Sequence, residues 1–183
     1  MTDFDSFATQ LLEEAKALLE KSKTTDGFTQ VTFLHSSLFL GISALEASVN
    51  SITEELLIEP YDECYTVYER ALLREKEVYF DRGEYVLGKG LKMSRITDRL
   101  EFLFFKFSGK KLDGTVQWYF NLKESIGLRN KLVHPKENIE LTAKQVEVAI
   151  LAVVEAINQL YTIVYKRKYP AYDMGIQAKE NLA

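Results

Sequence analysis

The chain has 183 residues, a length that fits one domain or one domain with a small insertion. Apolar residues make up 46% and charged residues 27%, with only 9 Gly and 3 Pro, which excludes collagen-like, low-complexity and disordered classes. The single cysteine, Cys64, excludes a disulfide framework and a Cys-rich zinc site, and a net charge of −4 argues against bulk affinity for nucleic acid.

The charge is unevenly spread. Residues 1–81 carry 6 Lys/Arg and 16 Asp/Glu, net −10, whereas residues 82–111 carry 8 and 3, net +5. Arg82, Lys89, Lys92, Arg95, Arg99, Lys106, Lys110 and Lys111 make this middle segment either a solvated face or a track for a phosphate backbone. The opening residues, MTDFDSFATQ, are acidic and lack the basic region and apolar run of a signal peptide. The most apolar late stretch, 146–165, contains Glu147, Glu155, Asn158 and Gln159, which a membrane span rarely carries. The expectation is a cytoplasmic protein with no membrane partner.

Residues 4–23 predict a first helix through Phe7, Leu11, Ala15, Leu18 and Leu19 at helical spacing. A long second helix is expected over 28–57. Val31, Leu34, Leu38, Ile42, Leu45, Val49 and Ile52 form its apolar stripe. Beside them run Ser37, Gly41, Ala44, Ser48 and Ser51, small side chains that let a neighbouring helix approach, from this chain or from a second copy. Glu46 and Asn50, four apart, occupy a further face, and His35 on the same helix reads as structural.

A third helix is expected over 61–76. The pattern then changes: β-branched and aromatic residues flank Asp81-Arg82-Gly83, so 77–93 reads as an insertion, a short hairpin or an irregular segment. Ser94 stands where it would cap a fourth helix running to 107, with Ile96, Leu100, Leu103, Phe104 and Phe107 inward. A fifth is expected over 115–133 with Tyr119, Leu122 and Ile126 inward. The last begins at Thr142, where Thr142-Ala-Lys-Gln145 has the capping-box form, and carries two apolar stripes to residue 165. Residues 166–183 lose the pattern and read as a tail.

The chemistry concentrates at the end of the fifth helix, in Leu128-Arg129-Asn130-Lys131-Leu132-Val133-His134-Pro135. A residue before proline is pushed out of the helical region, so the helix should stop at His134. Arg129 and Lys131 are ordinary choices for a helix C-terminus, where cations meet the negative end of the dipole. The same residue types also suit RNA transesterification. Histidine can act as base or acid, arginine grips phosphoryl oxygens, and asparagine can donate to a phosphate. No cluster with metal-ligand spacing is present in the sequence, and no cofactor is expected. Five positions on an ideal helix rotate about 140°, so Arg129 and His134 do not share one strict face. Fraying before Pro135, the long arginine, or a two-fold dimer would each bring such groups to one cleft.

Arg129-Asn130-Lys131-Leu132-Val133-His134 resembles the Arg-polar-x-x-x-His signature of the HEPN superfamily. The second helix, with Ala44-Leu45-Glu46-Ala47 and Asn50, and the capped helix from Thr142 are also similar to those of the family, over residues 28–165 without the 77–93 insertion. The resemblance implies an all-α, up-and-down helical bundle spanning 1–165 that commonly dimerises. It implies a metal-independent endoribonuclease, often a toxin or defence effector held by an antitoxin or other regulatory protein. Other members are inactive scaffolds or nucleotide and RNA binders. In the active pattern Arg129 and His134 are the catalytic pair and Asn130 the polar auxiliary. Glu46 and Lys131 would support the site, and Lys89, Lys92, Arg95 and Arg99 would hold the RNA. One subgroup carries Tyr two residues after the His; Lys136 stands there instead, which speaks against tyrosine modification by a partner.

Overall fold

The structure, a computed structural model, describes residues 3–136 and 139–178. Residues 179–183 of the predicted tail lie outside the described residues. The fold is mostly helical. Among the described residues are six α-helices: α1 (Asp3–Ser22), α2 (Gly27–Leu56), α3 (Val67–Arg74), α4 (Ile96–Ser108), α5 (Gln117–Val133) and α6 (Ala143–Tyr165). One antiparallel pair, β1 (Lys76–Asp81) and β2 (Glu84–Leu91), lies between α3 and α4.

The core gathers around α2 and α6. Leu34, Leu38, Ile42, Leu45, Val49 and Ile52 of α2 are buried, against Val146, Ile150, Val153, Ile157 and Leu160 of α6 in the same cluster. By length and hydropathy alone these two helices are long and apolar enough to cross a membrane; here their apolar stripes form the core. The small-residue stripe of α2 is also buried, and its neighbours belong to this chain. The Ser37 hydroxyl donates to the Ala15 carbonyl of α1 at 2.7 Å. A Cβ placed on Gly41 would lie 2.5 Å from Cδ1 of Ile150 in α6. The stripe therefore serves intrachain packing and supplies no argument for a second copy.

Gly41→Ala weighs two effects. The alanine gains about 1 kcal/mol of helix propensity, while pushing Ile150 aside costs about 1–3 kcal/mol. A net loss of about 1 kcal/mol in urea unfolding is expected; a stabilised variant would show that Ile150 yields freely.

On α1 Ala8, Leu12, Ala15, Ala17 and Leu19 are buried, with Lys16 buried beside them, while Phe7 is exposed. Ala15 and Leu19 of the expected stripe are buried, whereas Ala8 and Leu12 take the places expected for Phe7 and Leu11. Small Ala8 and Ala15 are what the close approach to α2 admits, and Lys16 is accommodated by its ion pair with Glu13 at 2.9 Å.

The expected third helix is broken. A short 3-10 turn (Tyr61–Cys64) leads to extended Tyr65, and Thr66 then caps α3 through a reciprocal box with Glu69. The insertion is a hairpin. Arg82 and Gly83 both take positive φ (47° and 99°), the conformation of a two-residue primed turn. A lone hairpin is marginal, and this one docks on α3: the Tyr85 ring lies 5.4 Å from Tyr68, and the Lys92 N–H donates to the Glu75 carbonyl at 2.8 Å. Ser94 does not cap α4. The N-cap is Arg95, without a side-chain bond, and the Ser94 N–H instead donates to the Glu75 carboxylate at 3.0 Å. The Thr142–Gln145 capping box is present.

The segment after α6 packs back on it. Tyr169 and Ala171 are buried, the Tyr169 N–H donates to Asn158 Oδ1 at 3.1 Å, and the Tyr172 hydroxyl donates to Glu155 at 2.5 Å. Two of the polar residues that interrupt the apolar run of α6 thus hold this segment.

Tyr119 of α5 is fully buried and donates to the Glu101 carboxylate of α4. Burial, with that carboxylate beside it, pushes the phenol above its ordinary value of 10.0. An acid whose folded pKa is raised gives stability that is complete below its unfolded pKa and lost as pH climbs from there toward the folded value. Alkaline destabilisation starting near pH 10.0 is therefore expected in the wild type and reduced in Tyr119→Phe, as read by urea melts across that range.

Candidate functional site

Pro135 ends α5 as expected. His134, the C-cap, leaves the helix at φ −124° and ψ 65°, and its N–H donates to the Asn130 carbonyl at 3.0 Å. Asn130, Lys131, His134 and Lys136 are exposed, and with Ile139 they line an open cleft of about 360 Å³. Cations gather here at the negative end of the α5 dipole.

Arg129 faces elsewhere. Its Nη2 donates to Glu46 Oε1 of α2 at 2.7 Å, with the two side chains 25% and 43% exposed. The Nε is buried without an acceptor among the described residues. Within one chain the motif is thus divided, as the 140° rotation implies: His134, Asn130 and Lys131 border the cleft, and Arg129 is fixed on α2.

Glu46 does more than meet Arg129. Asn50, one turn further along α2, accepts from Arg99 Nη2 at 2.7 Å, and Thr53 Oγ1 lies 3.5 Å from the same nitrogen. Arg99 Nη1 faces Glu75 Oε2 at 3.5 Å. Burial draws the Arg99 guanidinium below its ordinary range, against the opposing pull of Glu75 and then of Glu46. Two arginines, from α5 and α4, therefore share the field of one carboxylate on α2.

Arg99 is 3% exposed, so it stands apart from the solvated basic stripe in which the sequence placed it. Its position explains the burial: it lies between Ile96, Leu100 and Leu103, all buried, on the inward side of α4. Lys89, Lys92 and Arg95 are exposed on β2 and the link that follows it. Lys106 is paired with Glu69 at 2.9 Å and sits over the Tyr65 ring. The hairpin also shows an exposed aromatic ladder. Tyr85 lies 5.4 Å from Tyr68 and 5.3 Å from Phe80, each ring more than half exposed. His35 lies on α2 with its Nε2 buried and unpartnered among the described residues, and it joins none of these groups.

Among the described residues no three His, Cys, Asp or Glu side chains gather where they would hold one metal ion. Compared with family models, curated proteins and solved structures, the chain gives no significant match.

Proposed function

We propose that the chain is a metal-independent endoribonuclease of the HEPN type, an up-and-down helical bundle acting in the cytoplasm as a homodimer. The observation that carries this reading is the end of α5: an exposed histidine on an open cleft, five residues from an arginine held by a carboxylate.

The chemistry follows from the residue types. A 2′-hydroxyl attacks the adjacent phosphorus while the P–O5′ bond breaks, leaving a 2′,3′-cyclic phosphate and a 5′-hydroxyl. One His134 takes the 2′ proton and another supplies the proton of the leaving oxygen. Arg129 stabilises the charge on the phosphoryl oxygens, and Asn130 donates to the same group. Lys131 adds positive charge at the cleft. Because one chain directs Arg129 and His134 to different sides, a two-fold pair of motifs supplies what a single copy separates. Exposed Lys89, Lys92 and Arg95 would meet the RNA backbone, and Tyr68, Tyr85 and Phe80 would stack on unpaired bases. A toxin or defence role, restrained by an antitoxin-like protein, suits such an activity.

One observation favours a second reading, an inactive RNA- or nucleotide-binding scaffold. The Arg129–Glu46 ion pair is complete without substrate and suffices as a structural lock between α2 and α5.

Incubating the protein with total tRNA and a structured RNA in EDTA decides between them. Fragments ending in 2′,3′-cyclic phosphate are expected. RNA bound but never cut would install the scaffold reading. A monomer by light scattering at micromolar concentration would remove the shared cleft.

A further inference from the structure

We propose that the cleft between α2, the α3–β1 junction and α4 is a phosphate subsite for the nucleotide next to the scissile bond. This rests on the ribonuclease reading.

The cleft measures about 410 Å³, within the range of small-ligand sites, and Arg74, Lys76 and Arg99 all reach its wall. Two carboxylates, Glu54 and Glu75, line it as well. Glu75 is already committed: one oxygen accepts from the Ser94 N–H at 3.0 Å and the other faces Arg99 at 3.5 Å. That leaves Glu54 against Arg74 and Lys76. Arg74 holds the Leu57 carbonyl at 2.8 Å through Nη2, and Lys76 reaches the Lys89 carbonyl at 3.3 Å. Both partners are neutral, so neither cation is neutralised by them.

Arg99 has room for a further partner. Its side chain is 4% exposed, its Nη2 is met by neutral Asn50 and Thr53, its nearest carboxylate, Glu75, stands 3.5 Å away, and its Nε is buried without an acceptor among the described residues. A buried guanidinium is costly unless its charge is met. A phosphate at the cleft wall would meet it together with Lys76 and Arg74.

Position gives this subsite its relation to the reaction. Asn50, which lines the cleft, is four residues from Glu46, about 6 Å along α2. Glu46 holds Arg129 and Asn50 holds Arg99, so the two arginines are anchored one turn apart on α2, and the subsite lies beside the Arg129 end of the site.

The test uses the His134→Ala protein, so that RNA persists, and two probes, a nucleoside 5′-monophosphate and the same nucleoside without phosphate. The monophosphate is expected to bind at least about tenfold more tightly. Lys76→Glu, on the rim, should erase that difference and weaken binding of a short single-stranded RNA about tenfold, whereas Lys23→Glu, exposed in the turn after α1, should leave both unchanged. In cleavage-competent protein Lys76→Glu should raise KM and spare kcat. Equal binding of the two probes, or binding indifferent to Lys76→Glu, overturns the subsite. Monophosphate binding that needs Lys76 in a protein that never cuts RNA keeps the phosphate site and overturns the ribonuclease reading beneath it.

Discussion

His134→Ala is expected to lower RNA cleavage by at least about a thousandfold while leaving the fold intact. General acid–base catalysis contributes about 10²–10⁴ in rate per positioned group. In a two-fold dimer one substitution removes both the base and the acid, so the loss should fall toward the upper end. Stability should change by no more than about 0.5 kcal/mol, the usual range for an exposed site. The structural reason is local. The His134 side chain is exposed, and what closes α5 is its backbone N–H on the Asn130 carbonyl, which alanine keeps. Asn130→Ala should cost less than His134→Ala, since it removes one donor and no proton transfer. Side-by-side digestion in EDTA, with thermal melts of each variant, gives the result. A His134→Ala protein that is folded and cuts RNA as well as the wild type would end the catalytic assignment.

The sequence showed some of this architecture and hid other parts for identifiable reasons. Long periodic runs were legible: α2 and α6 announce themselves through buried stripes, and the Thr142–Gln145 box marks where α6 begins. The turn at Arg82-Gly83 was legible because positive φ at two successive positions suits Gly and a tight hairpin. The break before α3 is signalled only by Thr66 and Glu69, which carry the same capping signature as Thr142 and Gln145. Aromatic residues at 61, 65 and 68 imitate helical spacing across it. On α1 the stripe is legible at Ala15 and Leu19 but ambiguous elsewhere, because leucines at 11 and 12, and at 18 and 19, fit either of two adjacent faces. Only the demand for small residues against α2 selects between them. At the candidate site, Glu46 and Asn50 were visible as a polar pair, but their partners were not. An arginine in a run of basic residues reads as solvated. That Arg99 sits at the helical spacing of Ile96 and Leu103 was the available signal of its burial.

The second large effect is expected at the Arg129–Glu46 pair, and it separates aiming from mere structure. Arg129→Ala should lower cleavage by about 10²–10³, the usual cost of one preorganised donor to a transition-state oxyanion. Glu46 takes Nη2 at 2.7 Å, and Nη1 has no bond to a described residue, so the carboxylate fixes the guanidinium with one nitrogen left for a phosphoryl oxygen. Glu46→Ala should therefore cost about tenfold in kcat by loosening that aim. Glu46→Gln, which keeps an acceptor, should recover most of it. Since Glu46 acts through Arg129, the double variant should be no worse than Arg129→Ala alone, a non-additivity that independent sites do not show. The pair itself is partly exposed, so unfolding free energies of the single variants should shift by only about 1 kcal/mol or less. If the pair were only a lock between α2 and α5, stability would fall in both single variants and cleavage would follow the folded fraction. Activity losses that add in the double variant would likewise remove Glu46 from its positioning role.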